Sequence, residues 1–454
     1  MNTNTDSAPK PESLRPTLER LLDLAKANGA EACEAVGAYG RSLSISVRGG
    51  ALEDIDNSEG RDIGLRVFVD GRQAAVSSSD LSDTALEKLA ARCVAMARLA
   101  PKDKYCGLAD KTLLAREAPD LDLFDETTPD ADQLLRRAQA LESAALSVKG
   151  VVQVEGAGAY MSHSAMWHMT SDGFSKGWRA SSHGLSGAAF ASDGTHMERD
   201  YDSRSARHFA DLQSPERVGR KAARRAVARL GAQKPQSATL PVIFERRVAA
   251  QLLAAFTNAV SGPAIARGVS WLKDKMEEQV FSGAITIFDD PHLVRGVGSH
   301  PWDSEGVACQ KRVLVKDGVL QSWLLNTASA RQLGLKSTGH ASRALAGPAG
   351  VSASNCWIEP GPQTPEELMA DIGDGLSVTE MFSPSLNPNT GDYSVGIAGF
   401  RIEAGAKTTP VNEVTIAGNL LDMFARLRAA NDLVFEEALN APSLLVDKMV
   451  IAGA

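Results

Sequence analysis

Residues 381–423 read MFSPSLNPNTGDYSVGIAGFRIEAGAKTTPVNEVTIAGNLLDM, a glycine-studded tract in which turn residues punctuate short apolar strands at regular spacing. Asn389-Thr390-Gly391-Asp392 reads as a turn, because Gly391 can take φ > 0 and Asn and Asp can bond their own backbone. Tyr393 to Ile402 then alternates in the manner of a strand. Gly396 and Gly399 withdraw side chains where a strand usually wants them, which predicts a bulge or a close approach by another backbone or a ligand. Gly405, Asn412 and Gly418-Asn419 mark the next turns.

Outward from this tract, the chain after Pro241 alternates strand, helix and many short strands, the pattern of an α+β domain with an extensive antiparallel sheet. Near the other end, LRPTLERLLDLAKANGA places Leu18, Leu21, Leu22 and Ala25 on one helical face and reaches a C-cap at Gly29. Short alternating runs follow over 35–39, 43–47, 64–69 and 73–77. Gly49-Gly50 and Asp70-Gly71 separate them, and the second pair is a hairpin signal. Helical spacing returns over 84–99, 130–148 and 215–230. The expected fold is therefore α+β in two domains. An N-terminal antiparallel sheet covered by helices occupies 14–232, and a larger C-terminal domain built on an extensive antiparallel sheet occupies 233–454. A disordered tail is expected over 1–13, and the Pro- and Asp-rich stretch 101–129 is the candidate internal linker.

At 454 residues the chain exceeds one ordinary core. An apolar fraction of 43% describes a globular protein able to bury substantial cores. The net charge of -8 argues against nucleic-acid binding, since neutralising phosphates calls for a basic field. Cys33, Cys93, Cys106, Cys309 and Cys356 are odd in number, widely spaced and without a CxxC pair, so neither a disulfide framework nor a structural zinc site is indicated. A reducing cytoplasm is the expected home. MNTNTDSAPKPES lacks the features of a signal peptide, and the apolar stretch 248–260 is too short to span a bilayer. No membrane association is expected.

Helix 215–230 carries Arg217, Arg220, Lys221, Arg224, Arg225 and Arg229 opposite a stripe of Val218, Ala222, Ala226 and Leu230. A solvated basic face explains this as well as a nucleic-acid site does, and Glu198, Asp200, Asp202 and Asp211 are available to pair with it. His163, His168, His183, His196 and His208 crowd one third of the chain. A spacing of five puts His163 and His168 on opposite faces of a strand, and no Cys or Glu completes a ligand set. His292, His300 and His340 are isolated. Asp303 and Glu305 stand two apart, so on a strand both carboxylates would face one side, a geometry that general acid and base chemistry can exploit. Their setting between Pro301 and Gly306 equally fits a turn. Asn326 and Arg331, with Asn389, Thr390, Gly391 and Asp392, complete the candidate cleft or substrate-positioning set; tying loops together is the plainer role for them. No GxSxG elbow, P-loop or GxGxxG is present, and no residue is assigned as catalytic.

The tract 381–423 resembles the C-terminal signature of the PmbA/TldE family, also called modulator of DNA gyrase or peptidase U62. DDPHLVRGVGSHPWDSEGVACQKRVLVKDGVLQSWLLNTASARQLG (289–334) is similar to the family's central block, with Asp303, Glu305, Gly306, Gly318, Leu325, Ala330, Arg331 and Gly334 in order. RDIGLRVFVDGRQAAVSSSDLS, with Gly64, Arg66 and Gly71, looks like its N-domain hairpin, and SDGFSKGWRASSHGLSGAAFASDG from Ser171 fits a middle block. The family's TldD branch carries His-Glu-x-x-x-His on a helix and a later Cys, a zinc donor set. Here that helix reads RRVAAQLLAAFTNAVSGPA, with Ala254, Ala255 and Ala259 at the metal positions, and no cysteine follows Cys356. The resemblance thus implies the TldE-type subunit, without a metal of its own. It would form a heterodimer with a zinc-binding TldD-type subunit in a peptidase acting on peptides or unfolded segments, in peptide-precursor maturation and antitoxin degradation. A homodimer is compatible with the isolated chain. A non-enzymatic protein acting on DNA gyrase or another partner is the alternative, and an independent hydrolase using Asp303 or Glu305 a third reading.

Overall fold

The computed structural model describes residues 10–453. Helix α1 (Arg15–Ala27) buries Leu18, Leu21, Leu22 and Ala25, the face its spacing marks. It leads into β1 (Ala32–Arg48), β2 (Ala51–Val69) and β3 (Arg72–Ser78). Both hairpins between these strands turn through paired positive φ angles, 60° and 77° at Gly49-Gly50 and 49° and 65° at Asp70-Gly71. That twist matches the flanking strands. After α2 (Asp83–Leu99) and α3 (Ala131–Leu146), the long strands β4 (Val151–Thr170), β5 (Ser175–Ser192) and β6 (Met197–Ala206) complete a six-stranded antiparallel sheet in the order β3-β2-β1-β4-β5-β6. Helix α4 (Pro215–Ala228) follows. Serine or aspartate caps start three of these helices: Ser82 for α2, Asp130 in a capping box with Gln133 for α3, and Ser214 ahead of Pro215 for α4.

One face of the sheet takes all four helices. Ile63, Leu65, Val67, Trp167 and Met169 pack with α1 and α2. Ile45, Val47, Ala159, Met161 and Leu185 pack with α3 and α4. Because side chains alternate along a strand, Val36, Ala38, Met166 and His168 point the other way, toward the C-terminal half.

That half begins with β7 (Ala238–Phe244), α5 (Arg246–Ala259) and the short α6 (Gly262–Ala266). Strands β8 (Ile287–Asp289), β9 (Arg312–Lys316) and β10 (Val319–Leu320) precede α7 (Thr327–Gln332). Then come β11 (Ala341–Ser342), β12 (Gly350–Val351), β13 (Cys356–Ile358) and α8 (Pro365–Ile372). The quoted tract supplies β14 (Gly375–Leu386), β15 (Asp392–Glu403), β16 (Ala406–Asn419) and α9 (Leu420–Ala425). Strands β17 (Leu427–Ala429), β18 (Leu439–Asn440) and β19 (Leu444–Ala452) end the described chain. The larger sheet runs β16-β15-β14-β7-β19-β17, and β16 also pairs β19, so the ladder closes into a ring. Phe244, Leu252, Phe256, Phe281, Val395, Ile416 and Phe424 belong to the core it shares with α5. The expected α+β architecture with extensive antiparallel sheets is the one observed.

Three details differ from the sequence reading. Residues 35–39 and 43–47 are one strand, because Gly40 continues the ladder opposite Gly60. Asn412 lies inside β16 and marks a bulge, with Glu413 at φ 53° where the β15 register shifts. The inner end of the expected tail is ordered: Pro11–Leu14 is a 3₁₀ turn whose Pro11 and Leu14 are buried, and residues 1–9 of that tail lie outside the described residues.

Stretch 101–129 is a strap that fastens the halves together. Ala115 N–H donates to Gly306 O and Ala308 N–H to Leu113 O, at 2.9 and 2.8 Å. Farther along, Ser181 N–H bonds Leu123 O and Arg295 N–H bonds Leu121 O. Acidic β6 binds the halves from another side: Asp202 pairs Arg225 and Lys221 of α4, and Asp200 pairs Arg247 of α5. The basic face of α4 is thus partly neutralised within the chain, while Asp211 turns to Arg295 instead.

Of Gly396 and Gly399, it is Gly399 that has the close backbone approach. A Cβ there would lie 1.9 Å from Ser377 O on β14, whereas one at Gly396 would meet only ordinary contacts. Gly399→Ala is expected to cost about 2–4 kcal/mol through forced separation of β14 and β15, and Gly396→Ala much less. Urea midpoints of the two variants check this.

Candidate functional site

Two places carry the residues that the sequence singled out, and α5 is the first. Val248, Leu252, Leu253 and Phe256 bury one stripe, and Gln251 and Asn258 are exposed. Ala254 and Ala255 are half-buried and Ala259 is buried. Their methyl groups donate nothing, and among the described residues no three His, Cys, Asp or Glu side chains converge as a metal site would need. The cysteines are free, and burial pushes the Cys33 and Cys93 thiols up to about 11 and about 12, so neither supplies a thiolate at neutral pH. The donor set does not fit zinc.

The C-terminal end of α5 leads to the 389–392 turn. Ser270 Oγ donates to Ala259 O at 2.6 Å, and Trp271 N–H donates to Pro388 O at 2.8 Å. Gly391 takes φ 81° against the Trp271 ring. Asn419 Nδ2 donates to Thr390 O and Asp392 Oδ1. Bonds from Thr390 and Asn419 hold the Asp392 carboxyl below its ordinary value. These four residues lock a turn beside α9, whose Leu420 N–H donates to Gly391 O at 2.8 Å.

Asp303 and Glu305 form the second place, and the structure makes them a turn. Asp303 Oδ1 accepts from the N–H groups of Glu305 and Val307, both at 2.9 Å, and Oδ2 accepts from Ala341 at 3.0 Å. Glu305 Oε2 caps α7 by accepting from Thr327 N–H at 2.8 Å. Asn326 is the N-cap of that helix and also donates to Ala349 O. Arg331, at its far end, donates to the carbonyls of Tyr105, Cys106 and Leu108, fixing the strap. The structure thus brings Asp303, Glu305 and Asn326 together and connects them to Arg331.

Behind Glu305 lies a buried ion cluster. Glu34 of β1 contacts Arg66 of β2 at 2.5 Å, Arg343 at 3.0 Å and His168 of β4 at 3.1 Å, and Arg66 reaches Glu305 at 3.6 Å. Burial alone would raise the Glu34 carboxyl; Arg66, Arg343 and His168 outweigh it and hold the group well below the carboxylate range. Asp303 goes the other way. Burial, and then the neighbouring Glu305 charge, push it up to about 8 despite its three backbone donors.

Asp303 also lines a cavity of about 440 Å³ between the open face of the sheet and the C-terminal loops. Val36, Met166, Trp178 and Trp302 give it apolar walls, with Arg207 and His300 at its polar side. Arg207 is committed to the carbonyls of Gly296, Val297 and Ser181. Glu305, Asn326 and Arg331 do not line this cavity, and their contacts are those of loop ties. Sequence reading missed Glu34, His168 and Arg343 as members of the cluster. Arg66 stood in a quoted motif, but only strand register shows what it meets. His163 and His168 do fall on opposite faces, His163 against Phe124 and His168 against Glu34.

Models of three domains match this chain: PmbA/TldA metallopeptidase domain 1 at 33–97, its central domain at 124–230 and its C-terminal domain at 237–453. The chain is 37% identical over 446 residues to metalloprotease PmbA of Escherichia coli O157:H7, covering 97% of this chain and 96% of that one. It is 34% identical to a PmbA homologue of Haemophilus influenzae over 97% and 96% of the two chains. A crystal structure from Bacteroides thetaiotaomicron, described as a modulator of DNA gyrase, superposes with a TM-score of 0.89 at 26% identity, covering 98% and 99%. TldE from Thermococcus kodakarensis shares the fold at a TM-score of 0.84 and 19% identity, over 96% and 100%. The chain belongs to the PmbA/TldD family of metallopeptidases.

Two outcomes are expected at the ion cluster. Glu34→Gln strands Arg66 and Arg343 without their shared counter-charge and should cost about 3–5 kcal/mol in denaturant unfolding. For Asp303 the native state keeps a proton to about pH 8 that the unfolded chain loses near the ordinary ~3.9. Its contribution is therefore present at acid pH and lost as pH rises through about 8, with a limiting slope of about 1.4 kcal/mol per pH unit. Asp303→Asn should flatten that slope in urea midpoints measured from pH 5 to 8.

Proposed function

We propose that this member of the PmbA/TldD family is the TldE-type subunit of a two-chain zinc metallopeptidase, pairing with a TldD-type chain that holds the metal. The observation that carries this reading is α5. It keeps the buried stripe that seats it in the C-terminal core while showing methyl groups at Ala254, Ala255 and Ala259. Such a helix preserves the scaffold of a metal site and contributes no ligand. The family's peptidase chemistry then falls to the partner, and this chain supplies the other wall of an enclosed site.

Enclosure gives a reason for the second subunit. A zinc centre sealed between two chains admits an extended peptide and excludes a folded protein, so substrates would be peptides or unfolded segments, in precursor maturation and antitoxin degradation. Cys33, Cys93, Cys309 and Cys356 are buried as free thiols, which suits the cytoplasm as the place of action. No helix among the described residues is long and apolar enough to cross a membrane.

Zinc and peptidase activity sensitive to a chelator are expected in the complex co-purified with the TldD-type chain and not in this chain alone. Stoichiometric zinc or cleavage by the isolated chain would overturn the assignment. Failure of the two chains to associate would overturn it too, and would direct attention to a regulatory role on gyrase.

A further inference from the structure

The outer edge of the N-terminal sheet is covered along only part of its length. Strand β3 pairs β2 at Ile63 through Val69, and among the described residues nothing pairs the outer edge over 51–62. The inner edge of that segment runs antiparallel along β1 from Ala38 to Arg48. Its side chains are all exposed, including Leu52 at 50% and Ile55 at 48%. A row of free backbone donors and acceptors of this kind accepts one kind of partner, another extended strand.

The edge is held rigid from behind. At the hairpin tip the N–H groups of Gly49 and Gly50 both donate to the carboxylate of Glu142 on α3, each at 2.7 Å. Gln139 Nε2 donates to Gly50 O at 2.8 Å. Ile45 and Val47 of β1 are buried in the core under α3 and α4. An edge already fixed in strand geometry loses little freedom when a partner arrives.

Charge selects that partner. Residues 51–62 carry Glu53, Asp54, Asp56, Glu59 and Asp62 against a single Arg61; among the described residues only Glu53 makes an ion pair, to Arg48 at 2.7 Å, while Glu59 meets the Tyr39 hydroxyl. In a second copy docked about a two-fold axis, the strand would meet an equally acidic strand, Asp56 opposing Glu59 when the axis passes between Asn57 and Ser58. Like charges directly opposed across a ladder are unfavourable. Carboxylates on an exposed edge block indiscriminate pairing, and the same groups favour a strand that carries lysine or arginine.

We propose that residues 51–62 are a docking edge for a basic strand of the TldD-type subunit, which adds to the six-stranded sheet beyond β2. This rests on the two-chain reading above. The test uses the full chain and the TldD-type chain, with association followed by sedimentation and by hydrogen exchange. Amides of 51–62 should gain protection in the complex. D54K/D56K/E59K should weaken association tenfold or more, while Glu117→Lys on the strap leaves it unchanged; far-UV spectra and urea midpoints confirm that both variants fold. Association of the wild-type chains with no protection at 51–62 and no effect of the triple variant would sink the docking edge and leave the two-chain reading standing. If the wild-type chains do not associate at all, both fall. A dimer of this chain alone that the triple variant dissociates would assign the edge to a second copy and overturn the choice of partner.

Discussion

Glu34 sits on β1, near the middle of the N-terminal sheet, and meets two arginines that reach it from different parts of the chain. Arg66 comes from the adjacent strand and Arg343 from the loop after β11 in the C-terminal half. Both cations are almost fully removed from water, so neither is tolerable without its counter-charge. The cluster therefore demands one docking of the two halves: Glu34 must face Arg343, and Arg66 must reach Glu305 as well. Charge pairs of this sort contribute more to a unique arrangement than to net stability, since desolvation offsets much of their attraction.

Other features of the interface follow from that arrangement. Holding Glu305 against Arg66 fixes the Asp303 turn, and the other oxygen of Glu305 starts α7. Helix α7 carries Arg331, which pins the strap that crosses from one half to the other. The cavity beside Asp303 is lined by Trp178 of the sheet and Trp302 of the C-terminal loops, and by His168 and Arg343 of the ion cluster. Helix α5 stands apart from this system. It belongs to the core inside the closed strand ring, where apolar packing keeps it helical whether or not it binds a metal.

Much of the local structure was legible in the sequence because its causes are local. The Asp70-Gly71 hairpin, the 389–392 turn and the buried face of α1 follow from turn chemistry and from a period of 3.6. Gly399 announced a close approach, although the sequence could not name Ser377 as the group that approaches. Residues 51–62 were illegible as a strand. A segment paired on one edge and exposed on both faces has no reason to alternate apolar with polar, and alternation is the signal by which strands are found.

By itself, the sequence determined the α+β class, the family, helices α1 to α4 and the turns at 49–50, 70–71 and 389–392, since each depends on residue type and short-range spacing. The tertiary structure alone decided that Glu34, Arg66, Arg343 and Glu305 share one buried cluster and that Asp303 sits in a turn and Glu305 at a helix cap. It also decided that one stretch of β2 is left uncovered. Strand register and the meeting of two halves bring together residues hundreds of positions apart, and burial there sets the charge each can carry; no local pattern encodes either.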